Sequence, residues 1–376
     1  MDAVESLLDR AVADGVTPGG QLSVRWRDRS SDRALWRSED LAFGGLTYDP
    51  SSPRARTETL YDLASVSKAV FALAAISWAD REKLPLATPA EALWPESRAS
   101  AAGRATLEAL LSHRSELRAW EPLFRHIAAR DAGTEAARAT LFAKLFEEPL
   151  EPNGSTARYS DLGYITAGEA VATASGRSLG TLVRERVIEP LAATYGALTL
   201  GYRAVHEYRG VDSSEVAPTE LCAWRGEGEP ALVQGLVHDE NCYAFGGVCG
   251  HAGLFGTARD LAILGEASLR AMAGEDVGDG WVSASVLRAM ATPREGGTHR
   301  LGWDAKSPAG SSAGERASMM TFGHLGFTGT MLWCDPDAEL CVALVTNRVH
   351  PTRENNGIRA LRPAVMDAVL SRLRGA

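Results

Sequence analysis

The chain carries strand patterns at both ends and helical patterns between them, and this arrangement limits its folds more than any single residue does. Gln21-Leu22-Ser23-Val24-Arg25-Trp26-Arg27 alternates apolar and polar residues, the period of a strand, and a second strand pattern follows around Leu41–Gly44. Far downstream, Thr330–Cys334 and Leu340–Thr346 are apolar runs joined by Asp335-Pro336-Asp337, a turn sequence. From Ser65 to about Ile188 the pattern is mainly helical, broken at Pro85, Pro89, Pro95 and Pro149. Helical patterning returns over Ala258–Met272 and closes the chain over Asn356–Leu373, while Met1–Arg10 reads as an amphipathic helix. Residues 200 to 250, rich in Gly, Glu and aromatics, read as long ordered loops. The expected fold class is therefore α/β of the α+β type. An antiparallel sheet is built from both termini and flanked by helices, with a helical subdomain inserted in the middle.

Three segments carry chemistry. In Leu60-Tyr61-Asp62-Leu63-Ala64-Ser65-Val66-Ser67-Lys68, Ser65 and Lys68 stand three residues apart where an alanine-rich helix is expected to begin. Residues at this spacing share a helix face, so hydroxyl and amine point into the same space. A neutral amine can take the proton of a serine hydroxyl, and first-turn backbone N–H groups favour a developing alkoxide. Seen alone, such a pair more often marks a helix cap and a solvated lysine. Tyr159-Ser160-Asp161 follows a turn-like stretch and can present a phenol and a carboxylate from a loop, the phenol serving as general base or acid beside a lysine. Phe322-Gly323-His324-Leu325-Gly326-Phe327-Thr328-Gly329 leads into a strand whose edge can offer a backbone N–H to an oxyanion. Each of these two also has a bland reading, a half-buried aromatic with a capping aspartate and a glycine-rich turn.

Taken in order, the segments resemble the serine β-lactamase and penicillin-binding-protein superfamily, in particular its class C β-lactamase-like, esterase-type branch. That family carries Ser-x-x-Lys, then Tyr-x-Asn or Tyr-Ser-Asp, then Lys-Thr-Gly or a His-x-Gly variant. These match Ser65-Val66-Ser67-Lys68, Tyr159-Ser160-Asp161 and His324-Leu325-Gly326. Thr106-Leu107-Glu108-Ala109-Leu110-Leu111-Ser112-His113 and Gly250-His251-Ala252-Gly253-Leu254-Phe255-Gly256-Thr257-Ala258 are similar to further family segments, so the resemblance runs from about residue 15 to the end. It implies that Ser65, Lys68 and Tyr159 are catalytic, that backbone N–H groups of Ser65 and Phe327 hold an oxyanion, and that Asp161, His324, Gly326 and His238 contact substrate. The motifs near residues 65, 159 and 324 have to converge, so a single catalytic domain over 1–376 is expected. Its α/β part would span about 1–75 and 310–376, and its mainly helical and loop part about 76–309.

Departures from the family pattern are informative. Glu116 in Ser112-His113-Arg114-Ser115-Glu116-Leu117 replaces an expected glycine, so that turn must adopt a conformation a side chain tolerates. Asp161 replaces the asparagine that donates to a β-lactam side chain, and an ionised carboxylate cannot donate. His324 replaces a permanent cation and is expected to tune activity by titrating near neutral pH. Efficient β-lactam hydrolysis is thus not expected. The leading reading is a carboxylic-ester hydrolase working through an acyl-enzyme. The alternatives are an amidase or peptidase on D-amino-acid or muramyl-peptide linkages, and a weak β-lactamase or non-catalytic sensor.

Composition narrows the partners. With 376 residues, 45% hydrophobic, the chain can bury an ample core, and a net charge of −9 argues against nucleic acid. No stretch spans a bilayer, and the first residues lack the basic start and apolar core of a signal peptide, so a cytoplasmic location is expected. Five cysteines (Cys222, Cys242, Cys249, Cys334, Cys341) read as reduced buried thiols, with a disulfide at Cys222 or Cys242 left open. Val237-His238-Asp239-Glu240-Asn241, with Ala217-Pro218-Thr219-Glu220 upstream, is similar to one branch of the family linked to cell-wall sugar-peptide recycling, making His238, Asp239 and Glu240 candidates for substrate contact. Contiguous His-Asp-Glu cannot all face one ion from a regular element, so no metal and no cofactor is expected. The partner is a small-molecule ester or amide, with cell-wall peptide among the candidates.

Overall fold

A computed structural model of the protein describes residues 2–29, 35–154, 156–226 and 228–375; Met1 of the expected N-terminal helix lies outside them. The central sheet has six antiparallel strands: β1 (Gly19–Asp28), β2 (Leu35–Gly44), β3 (Asp304–Ala305), β4 (Phe322–Leu325), β5 (Met331–Asp335) and β6 (Leu340–Thr346). Their order is β2-β1-β6-β5-β4-β3, so the N-terminal hairpin joins the C-terminal strands through β1 and β6, with Leu22 opposite Leu344 and Val24 opposite Val342. The sheet is thus assembled from both ends of the chain. β2 is longer than its sequence pattern indicated, because Leu35–Gly44 pairs along the whole of β1 even where its side chains are exposed.

Side-chain alternation explains why β5 and β6 are apolar throughout. Met331, Trp333, Leu340, Val342 and Leu344 share one cluster with residues of α1 (Asp2–Ala13) and the C-terminal helix, Ile358–Gly375. Leu332, Cys334, Cys341, Ala343 and Val345 belong to the larger cluster on the other face. A strand covered on both sides has no polar face to present, and each buried side chain of this size contributes about 1.5–3 kcal/mol. The second face is covered by Ala258–Met272, whose Gly265 lets it come close: a Cβ there would lie 2.7 Å from the Cys334 sulfur and 2.9 Å from that of Cys341. That helix and β3 both come from the middle of the chain, so the middle segment contributes to the sheet layer as well as to the helical part.

Beneath the cleft runs α2 (Ser67–Arg81), with residues Ser67 to Ala79 all buried; a helix apolar on every side belongs in a core. It does not begin at Ser65, as its pattern implied. A single 3-10 turn, Ala64–Val66, precedes it. Ala64 has φ +46°, a left-handed conformation unusual for alanine, immediately before Ser65. The helix α3 (Asp161–Ser175) is capped by Ser160, whose Oγ accepts from the Gly163 N–H at 3.0 Å. Asp161 itself is therefore free for other contacts. Contrary to the expectation of a backbone that a side chain tolerates, Glu116 keeps a left-handed φ of +60°, the conformation that favours glycine. No helix among the described residues is long and apolar enough to cross a membrane.

Candidate active site

The three sequence segments meet at one cleft of about 640 Å³ between the sheet edge and the helical part. Ser65, Tyr159, Asp161, His238, His324, Gly326 and Phe327 line it, while Lys68 is fully buried just behind Ser65. Every residue singled out from the sequence is thus brought to the same place. The Lys68 Nζ lies 3.0 Å from Ser65 Oγ, 2.6 Å from Asp161 Oδ1 and 3.0 Å from the backbone oxygen of His251. It also sits 4.8 Å from the centre of the Tyr159 ring, and the phenol interacts with both Lys68 and Ser65.

These neighbours decide the charge of Lys68. Burial alone would favour the neutral amine, but the Asp161 carboxylate, with Tyr159 behind it, holds Lys68 well above the usual lysine range. The resting protein therefore has an ammonium here, not the neutral amine expected from the serine–lysine pair. Tyr159 is in turn raised, chiefly by burial, although the Lys68 charge pulls the other way.

Three imidazoles surround the Tyr159 ring, with centroid distances of 4.7 Å for His113, 5.7 Å for His299 and 6.2 Å for His324. All three are held below the ordinary histidine range, first by burial. His324 is pushed down to about 3 by burial and the nearby Lys68 charge, and its Nδ1 pairs with the Leu325 oxygen at 2.8 Å. It is neutral throughout the physiological range, which corrects the expectation that it titrates near neutral pH. A carbonyl partner makes Nδ1 the protonated nitrogen and leaves Nε2 an acceptor. His113 was visible in the sequence only as part of a matched segment. Nothing local marks His299, a lone histidine in a glycine-rich stretch.

The Val237–Asn241 run fans out. His238 stacks on Phe327 at 5.7 Å and pairs through Nε2 with Glu220 at 2.7 Å. Asp239 caps the short helix Glu240–Ala244 and holds His251 Nε2 at 2.9 Å, and Glu240 pairs with Arg353 at 2.5 Å. Burial opposes ionisation of Glu220, yet hydrogen bonds from His238 and Arg353 bring its carboxyl down to about 2. The cleft wall beside Phe327 is thus a chain of paired charges.

The sheet side is fixed to the Ser65 side by two hydroxyls. Thr328 Oγ1 donates to the Asp62 oxygen at 2.7 Å and Thr330 Oγ1 to the Leu63 oxygen at 2.9 Å. Gly326 is required in this turn, since a Cβ would lie 1.9 Å from Thr330 Oγ1 and 2.5 Å from the Leu63 oxygen. Among the described residues, the Phe327 N–H has no acceptor, and Phe327 is 49% exposed in the cleft.

A lysine-paired serine beside a tyrosine, on a both-ends antiparallel sheet with a helical part, defines a serine hydrolase of the β-lactamase and transpeptidase type. The chain belongs to the beta-lactamase family, whose model matches residues 4–365. It is 30% identical over 367 residues to an Escherichia coli protein carrying the provisional name D-alanyl-D-alanine carboxypeptidase, covering 91% of this chain and 82% of the relative. The solved structure of EstCE1, described as a hydrolase with promiscuous acyltransferase activity, superposes with TM-score 0.72 at 21% identity over 98% of both chains. A penicillin-binding protein homolog from Caulobacter crescentus superposes with TM-score 0.68 at 22% identity, covering 98% of this chain and 96% of that one. The two structures bear on the fold alone.

Proposed function

We propose that the protein hydrolyses carboxylic esters through an acyl-enzyme on Ser65. The observation that carries this reading is the Ser65 Oγ at 3.0 Å from Lys68 Nζ, with the Tyr159 ring centre 4.8 Å from that nitrogen, on the floor of an open cleft. Ser65 Oγ attacks the carbonyl carbon in the fraction of molecules whose Lys68–Tyr159 pair has already lost one proton, and the Ser65 proton fills that vacancy, on the Lys68 amine or the Tyr159 phenolate. The oxyanion sits between the N–H groups of Ser65 and Phe327, the second of which has no other partner among the described residues. Tyr159 returns the proton to the departing alcohol, and water then cleaves the acyl-enzyme by the same steps reversed. Asp161 keeps Lys68 in place and charged. The whole chain works as one catalytic unit in this scheme. Five free, buried thiols support a reducing, cytoplasmic setting.

A second reading, cleavage of a peptide with a free C-terminal carboxylate, has one specific observation in its favour. Arg359 lines the cleft with no acidic partner among the described residues, and its charge is available to an anionic substrate end. The name borne by the Escherichia coli relative points the same way. Hydrolysis of short-chain p-nitrophenyl esters by wild type and Ser65→Ala, with intact-mass analysis after fluorophosphonate treatment, tests the first reading. Ser65-dependent turnover and a single adduct are expected; turnover retained in Ser65→Ala refutes it. Release of D-alanine from a D-alanyl-D-alanine peptide at a higher kcat/KM than any ester would put the second reading first.

A further inference from the structure

We infer that Arg362 is a positioning residue that aims and polarises the oxyanion-binding N–H of Phe327, an inference that rests on the assignment of that N–H above. The C=O of Gly326 and the N–H of Phe327 belong to one peptide plane and point in opposite directions. The N–H has no protein acceptor among the described residues, while the Gly326 oxygen accepts from Arg362 Nη2 at 2.5 Å. The same nitrogen donates to the Thr330 oxygen at 2.9 Å, which also accepts from the Gly326 N–H at 2.7 Å. Arg348 Nε holds the next carbonyl, that of Phe327, at 2.9 Å.

Arg362 is only 8% exposed, and among the described residues it has no carboxylate partner. A buried cation spent on carbonyls alone is an expensive arrangement, since the desolvation of the charge is offset only by hydrogen bonds to neutral groups. Its placement gives that arrangement a use. A cation donating to the oxygen end of a peptide draws electron density from the nitrogen end, so the N–H becomes a stronger donor where negative charge develops. The bond also helps fix the plane of this peptide, whose oxygen accepts in addition from the Gly329 N–H across the turn at 3.1 Å. The turn supplies one neutral donor to the Gly326 oxygen, and Arg362 supplies the charged one.

The test compares wild type, Arg362→Met, Arg362→Gln and Ser65→Ala. Ester hydrolysis gives kcat and KM, and inhibition by phenylboronic acid, whose serine adduct is tetrahedral and anionic, reports on the oxyanion site. Folding is checked by circular dichroism. Arg362→Met is expected to lower kcat about 10–100-fold, somewhat less than removal of a direct oxyanion donor, with KM within about threefold. Boronate affinity should fall by a similar factor, and Arg362→Gln, which keeps a neutral donor, should lie between. A folded variant with unchanged kcat, or a loss confined to KM with boronate affinity intact, overturns the inference. If Arg362→Met does not fold, Arg362→Gln is read by the same criteria, and Arg362→Lys supplies a charged control. Turnover surviving in Ser65→Ala would instead refute the site assignment, so the two failures are distinguishable.

Discussion

Asp161→Asn is the perturbation that most directly probes how the proton is handled. The carboxylate lies 2.6 Å from Lys68 Nζ and is the principal force opposing the effect of burial on that amine. An opposite charge this close raises a lysine by about 1–3 pKa units, each about 1.4 kcal/mol. Removing it while keeping an oxygen in place should therefore let Lys68 lose its proton at a pH about 1–3 units lower. If the Lys68–Tyr159 pair must accept the proton of Ser65, the rising limb of kcat/KM against pH has to move toward acid by a similar amount. The assay is hydrolysis of p-nitrophenyl butyrate across the range from weakly acidic to pH 10, corrected for spontaneous hydrolysis. A limb superimposable on wild type would refute the claim that Asp161 sets the charge of Lys68 and that this charge limits the reaction. Stability offers a second check with a definite sign. Because the folded-state value of Lys68 is raised, its contribution is fully present below the unfolded value of about 10.4 and is lost as pH climbs through the folded one. The wild type should lose stability in strong alkali more than the variant does. At neutral pH the variant should lose less than the about 3–5 kcal/mol typical of stripping a buried pair, since the amide oxygen still accepts from Lys68.

Other expectations follow from the same geometry. Tyr159→Phe, which keeps the ring among His113, His299 and His324 but removes the hydroxyl, should lower kcat by about 10²–10⁴ with KM changed little; full turnover with an unchanged pH profile would end its proton-transfer role. His324, neutral with its value pushed to about 3, should show no ring titration by NMR between about pH 5 and 8. Between about 6.5 and 3 the unfolded state binds the proton that this residue refuses, so its contribution makes stability fall on acidification, which urea unfolding at several pH values measures. Glu116→Gly relieves a side chain held at φ +60° and should raise stability by about 1 kcal/mol, a left-handed penalty of about 1–2 less the added backbone freedom of glycine in the unfolded chain. A decrease would show that the Glu116 side chain contributes more than the strain costs.

What could be read from the sequence was what local spacing controls. Ser65 and Lys68 meet because three residues bring side chains round to one face, and this holds even though the turn at Ala64–Val66 is 3-10 and the α-helix starts only at Ser67. The sheet was readable because strands at both chain ends have few ways to bury their apolar faces except against each other. At Glu116 the glycine's place was readable but the outcome was not: the turn keeps the left-handed backbone, φ +60°, instead of one a side chain tolerates. What could not be read was the electrostatic environment. Lys68 and Asp161 are 93 positions apart in the sequence, and nothing in either segment says that burial and pairing leave the amine protonated. His324 has the residue type of a neutral-pH switch, yet the same Lys68 charge and the enclosing core disable it. His299 and Arg362 are single residues without a pattern, and each acquires meaning only from a partner that the fold supplies: Tyr159 and the Gly326 carbonyl. The family's motif therefore names the candidate reacting groups, while their protonation states follow from burial and from how motif charges, above all that of Asp161, meet in the fold. Replacing the motif's asparagine by Asp161 places a fixed negative charge against its lysine, so members that share Ser-x-x-Lys and Tyr need not share a resting charge state or a pH dependence.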